Sequence, residues 1–117
     1  MAHDGVAAKD PNSIEPYFFV WCDRDGTNTG AATDDGELQG ATIASYTVTV
    51  PTGITKTTDN KAAVTIHGIT YGINTVVTYW VSGGTDGTDY DVNCQIVTSD
   101  SPPRTLEKTM TVPVRSQ

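Results

Sequence analysis

Few side chains in this sequence carry reactive chemistry: His3 and His67, Cys22 and Cys94, and the acids gathered between positions 23 and 37. A nucleophile needs a base held beside a Ser, Thr or Cys, and the two histidines are the candidate bases. His3 falls in a polar lead-in, and His67 reads as a solvent-facing strand residue beside Gly68. Two cysteines without two further closely spaced ligands do not make a zinc site. Asp23-Arg24-Asp25-Gly26-Thr27-Asn28 and Asp34-Asp35-Gly36-Glu37 offer the hard oxygens that calcium takes. Arg24 interrupts the first run and no glutamate closes it at the twelfth position, so a solvated turn cluster is the simpler reading. Paired-carboxylate glycoside chemistry lacks an aromatic platform beside these acids. The expectation is a chain that is not an enzyme, with no catalytic residue, no cofactor and no metal.

A disulfide between Cys22 and Cys94 would resemble the inter-sheet pair of an immunoglobulin domain, and face counting argues against it. In Tyr17-Phe18-Phe19-Val20-Trp21-Cys22 the large aromatics Tyr17, Phe19 and Trp21 share one face. Cys22 points the other way with Phe18 and Val20, while Cys94 points inward with Tyr90 and Val92. Thiols on opposite sides of a sheet do not reach the ~4.4–6.8 Å Cα separation of a disulfide.

The elements that must position these residues read as strands. The 117 residues suit one domain and one core. Period-two alternation marks strands at about 17–23, 41–50, 54–61, 62–69, 76–97 (two strands) and 104–114, with no helical stretch. Expected buried positions are Ile43, Tyr46, Val48 and Val50 in the second, and Met110, Val112 and Val114 in the last. Val64 and Ile66 share one face, with Thr65 and His67 on the other. Turns are expected at Asp59-Asn60 and Tyr71-Gly72. Val76–Val97 reads as a hairpin around Gly83-Gly84-Thr85-Asp86-Gly87, because clustered glycines supply the positive φ of tight turns. Pro113 lacks an N–H and should lie at a sheet edge. Trp21 and Trp80 read as core. Six to eight strands spaced near ten residues point to an all-β, immunoglobulin-like antiparallel β-sandwich, and Tyr90 stands where such folds place a tyrosine corner. Residues 1–14 are expected to be a flexible arm, and residues 15–117 the sandwich domain.

A net charge of −7 with seven scattered basic residues argues against nucleic-acid and anionic-membrane partners. No segment approaches the ~20 apolar residues of a membrane span. The start lacks the charged and apolar regions of a signal peptide, which predicts a product made and kept in a cytoplasm.

Several segments, in order, resemble a known family. They are Asp10-Pro11 ahead of Tyr17, Phe19 and Trp21; Ala41–Ser45; Thr49–Thr55; Trp80–Tyr90; and Arg104–Val112. Their order is similar to that of the fiber-tail adaptors of tailed bacteriophages, over roughly residues 10–114. The chain departs from that pattern in longer stretches at 24–40 and 60–75, and in Phe18, Val20 and Cys22, where polar residues are usual. The resemblance implies a virion structural protein with an immunoglobulin-like fold, assembled in the host cytoplasm. Its partners would be other virion proteins (portal or neck, tail, fiber or major capsid protein), with several copies in the particle. An adaptor at the neck or tail is the first reading; capsid decoration and a glycan-binding adhesive module are the alternatives. The row Phe18, Val20, Cys22 is the candidate interface: with the aromatics inside, three apolar side chains face a partner. The competing reading is that the loop from Arg24 to Gly40 folds over them, or that the strand is buried on both faces.

Overall fold

The computed structural model describes residues 9–10, 12–22, 26, 28 and 36–115. Among these, eight strands follow in order: β1 Ile14–Val20, β2 Ile43–Thr49, β3 Ile54–Asn60, β4 Val64–Ile66, β5 Ile69–Tyr71, β6 Val76–Gly83, β7 Thr88–Thr98 and β8 Thr105–Val114. All pairings between strands are antiparallel. One sheet has the order β1-β6-β3, a second β2-β7-β8, and β4 and β5 form a separate two-stranded sheet.

The two larger sheets face each other across one core, and cross-sheet contacts show which strands overlie. Tyr79 of β6 donates its hydroxyl to the Met110 sulfur of β8 at 3.0 Å. Tyr46 of β2 donates to Asp59 of β3 at 2.5 Å. Lys108 of β8 donates to the Val20 carbonyl of β1 at 2.7 Å. Alternation places the filling: Tyr17 and Phe19 from β1 lie against the Tyr79 ring at 5.9 and 5.4 Å between centroids. Val77, Val81, Val92, Cys94, Ile96, Val112 and Val114 are sealed around them. Burying such side chains contributes roughly 1.5–3 kcal/mol each.

The inward parity expected for Tyr17, Phe19 and Trp21 is found, as it is for Val112 and Val114. In β2, Ile43 and Val48 are buried and Tyr46 is half-buried, as is Val50 just past the strand. A register shift between Ile43 and Ser45 reconciles Ile43 with Val48, since an odd spacing in a regular strand would put them on opposite faces. Pro113 and β8 do lie at a sheet edge.

Other expectations are corrected. The run Val76–Val97 is not a hairpin: β6 and β7 belong to different sheets, and the glycine-rich segment between them crosses from one to the other. Period-two alternation states which face is buried and not which strand is the neighbour, so both arrangements share one pattern. Gly83, Gly84 and Gly87 have φ of 80°, 104° and 84°. Tyr90 secures the crossing, its hydroxyl accepting the Thr85 N–H at 2.9 Å, five residues upstream. His67 is not a strand residue; with φ of 50° beside Gly68 at 82°, it makes the tight turn between β4 and β5. Asp59 and Asn60 stay within β3, and Tyr71 closes β5, leaving the next turn to Asn74 at φ 64°. Trp80 is not core: it lies on the outer side of its sheet, half-buried between Pro16 and Thr58. The first strand begins at Ile14, earlier than expected, and ends before Trp21.

The expected arm reaches the body before residue 15. Lys9 is fully buried and bridges Val114 in parallel. Its ammonium donates to the Asp10 and Gly83 carbonyls at 2.8 and 2.7 Å. Residues 1–8 and 11 of that segment lie outside the described residues.

Candidate functional site

The residues first considered for catalysis are not brought together. His67 is an exposed turn residue, and His3 lies outside the described residues. Cys22 and Cys94 are both buried, and no disulfide joins them. Burial pushes the Cys94 thiol up to about 12, against the opposing pull of the Trp21 indole and the Lys108 charge. The Trp21 N–H has no full hydrogen-bond partner and leans on that sulfur. A thiol kept protonated and sealed is inert as a nucleophile. Asp23, Asp25, Asp34 and Asp35 lie outside the described residues; among the described residues no three His, Cys, Asp or Glu side chains cluster to hold a metal.

What the fold does assemble is a groove of about 510 Å³, open along one flank where β1 and β8 overlie. Its apolar lining comes from Phe18, Phe19, Val20, Met110 and Pro113, its polar lining from Thr109, Thr111, Asp89, Lys108 and Arg115. Both flanking strands are the outermost of their sheets. Lys108 closes one end. Its ammonium lies 4.7 Å over the Trp21 ring, 2.7 Å from the Val20 carbonyl and 3.0 Å from Glu37 Oε1. Arg104 fastens the same end, donating to the Glu37 and Leu38 carbonyls at 2.9 and 2.8 Å and to Asp100 at 2.5 Å. The bond from Arg104, with one from Thr98, holds the Asp100 carboxyl below its ordinary value. At the other end Arg115 pairs with Asp89 at 3.1 Å.

The opposite flank, where β2 overlies β3, is latched by polar groups. Asp59 accepts from Tyr46 and pairs with Lys56 at 2.6 Å, and Lys56 also reaches the Val48 carbonyl. Burial acts to raise Asp59, but the bonds from Lys56 and Tyr46 outweigh it and hold the carboxyl low. Burial and the bond to Asp59 push Tyr46 up to about 12. The two flanks thus differ: on one, polar groups tie the strands together and line a second pocket of about 430 Å³, and the other offers a trough with Phe18 and Met110 in its lining.

Of the expected row Phe18, Val20 and Cys22, only Phe18 presents side-chain surface. Val20 is 7% and Cys22 3% exposed. At the far end of the loop Leu38 is also fully buried and donates its N–H to the carbonyl of Trp21, which stands between the two in the chain, at 3.1 Å. Cys22 also lies beyond the strand, so parity counted from Phe18 does not extend to it. Sequence reasoning missed Lys108. Its signal was a lysine on the apolar parity of Leu106, Met110 and Val112. It also passed over Pro16, whose missing N–H marks an outermost strand as Pro113 does.

A family model described as "Podophage GP4 fiber-tail adaptor protein gp77" matches residues 9–113. No curated protein and no solved structure matches the chain. The matched span opens at Lys9 and runs through all but the last residue of β8, so it takes in both banks of the groove, while the bridge from Lys9 ends on Val114, one residue beyond it. The chain therefore belongs to the podophage fiber-tail adaptor family.

Proposed function

We propose that this chain is a non-enzymatic tail component that links fibers to the phage particle, and that the Phe18 side of its groove docks a neighbouring virion protein. The observation that carries the reading is the match of the fiber-tail adaptor family model to residues 9–113, nearly the whole two-sheet body, which supports a structural role in the tail. An immunoglobulin-like sandwich is the architecture that best accommodates the rest: two stacked antiparallel sheets, a crossing between β6 and β7, and the Tyr90 hydroxyl bonded to backbone upstream. In this reading the chain works as a rigid spacer, present in several copies, with no cofactor. It is made in the host cytoplasm and ends in the virion.

A density map of the intact particle tests the position. The body should lie between tail and fibers; density on the capsid shell would replace the adaptor by a decoration role. Phe18→Asp tests the surface. Phe18 also packs on the core, so the variant should lose about 1–2 kcal/mol of stability and still fold. Particles assembled with it should carry little of the chain. Full incorporation of a folded Phe18→Asp protein would remove Phe18 from the interface.

A further inference from the structure

We infer that the open edge of β8 accepts an extended strand from a partner virion chain, pairing along Glu107–Thr111; this rests on the adaptor reading for the identity of the partner. The direction of the backbone groups follows from the bonds at the end of the strand. Lys9 N–H donates to the Pro113 carbonyl, and Arg115 N–H donates to the Lys9 carbonyl. On the other side, the Val114 carbonyl accepts from Gly87, and the Thr98 N–H donates to the Arg104 carbonyl. Even positions therefore bond to the β7 side and odd positions point away. At period two, Glu107, Thr109 and Thr111 direct both N–H and C=O to the open edge, where none of the described residues bonds them.

Three features specify a strand as the occupant. The edge already takes one, because the Lys9 rung is a parallel β-bridge. Pro113 has no N–H for the next rung, so the stretch below it is a separate acceptor from the one that Lys9 fills. The side chains leave the backbone unclaimed: Thr111 donates to Asp91 at 2.7 Å and Thr109 accepts from Asn93 at 3.4 Å, both cross-strand to β7. Across the groove, Trp21 N–H bonds to Thr75, so even positions of β1 face its open edge. There Pro16 has no N–H, and Lys108 occupies the Val20 carbonyl. The β1 bank is thereby blunted and the β8 bank left open. An edge that pairs through the backbone, beside a trough lined by Phe18 and Met110 for alternate side chains, is the arrangement of strand addition.

Amide exchange on the purified chain and on intact particles tests this. The Thr109 and Thr111 amides should exchange freely in the isolated chain and slow at least about tenfold in the particle. Thr109→Pro removes an outward N–H and no backbone bond to β7, and shares with Thr109→Val the loss of the 3.4 Å side-chain bond from Asn93; it should fold and fail to incorporate, while Thr109→Val, which keeps the N–H, incorporates normally. Equal exchange in both states, or normal incorporation of Thr109→Pro, overturns the inference and leaves the adaptor reading standing. Protection in the purified chain that grows with its concentration would overturn the partner assignment in favour of a second copy. Absence of the wild-type chain from particles would remove the adaptor reading and the inference with it.

Discussion

Lys108 occupies a position that the alternation of β8 reserves for an apolar side chain. Its ammonium is received there by three groups: the Val20 carbonyl, the Glu37 carboxylate and the face of Trp21. Its methylene stem covers apolar surface while the ammonium meets the polar rim. Lys108→Met retains the stem and loses the three polar contacts, so it should cost about 1–3 kcal/mol in urea unfolding. Lys108→Ala should cost more, because it also uncovers the indole. Equal stability of wild type and Lys108→Met would show that these contacts contribute nothing net. The anomaly was visible in the sequence as a lysine between Leu106 and Met110. What it binds was not visible, because Val20 and Glu37 are brought to it by a fold that joins positions 88 and 71 residues away in the chain.

At the scale of elements, faces were legible and neighbours were not. Tyr17, Phe19, Val112 and Val114 point inward as alternation requires. The same alternation misassigned β6 and β7 as partners, and carried β4 through His67 into a single strand. Both errors have one source: a run of glycine with its neighbours signals positive φ and leaves the direction of the chain afterwards open. Gly84 shows what the crossing demands beyond φ. A Cβ there would lie 2.7 Å from Val114 Cγ2 and 3.3 Å from Ile54 Cγ2, so the backbone passes the end of β8 with no room for a side chain. At Gly87 the φ is also positive, and nothing lies within 4 Å of an added Cβ. Gly87→Ala should therefore lose about 1 kcal/mol through backbone strain alone. Gly84→Ala should lose about 2–4 kcal/mol, because Val114 must shift as well. Thermal melting of the two variants separates the terms. A Gly84→Ala protein as stable as Gly87→Ala would mean that β8 yields at its end, and that the crossing is looser than its packing implies.

For the whole molecule, the ionisable groups set a stability plateau with different causes at its two ends. Asp59 is held below its ordinary 3.8 by Lys56 and Tyr46 against the effect of burial, and Asp100 below 3.8 by Arg104 and Thr98. A depressed carboxyl adds stability above its unfolded pKa and loses it as pH falls through the folded one. The acid limb thus lies below about pH 4. Protonation elsewhere acts the other way down to that point: a chain of net charge −7 repels itself less as pH falls toward its pI near 4.4. At the alkaline end, Tyr17 and Tyr46 are raised from 10.0 to about 12, and Cys94 from 9.0 to about 12, each first by burial. A raised group of this kind supports the fold fully below its unfolded pKa, and that support is lost as pH climbs to the folded value. Stability should therefore hold from about pH 5 to 9 and fall steadily between 9 and 12, with repulsion among added negative charges in the same direction. Urea unfolding at unit intervals of pH measures this. Cys94→Ala should lessen the alkaline decline, because the raised thiol no longer contributes to it, at the cost of a cavity that lowers stability at every pH. A curve that stays flat between pH 9 and 11 in the wild-type chain would mean that water reaches these phenols and this thiol, and that the core between the sheets is not closed.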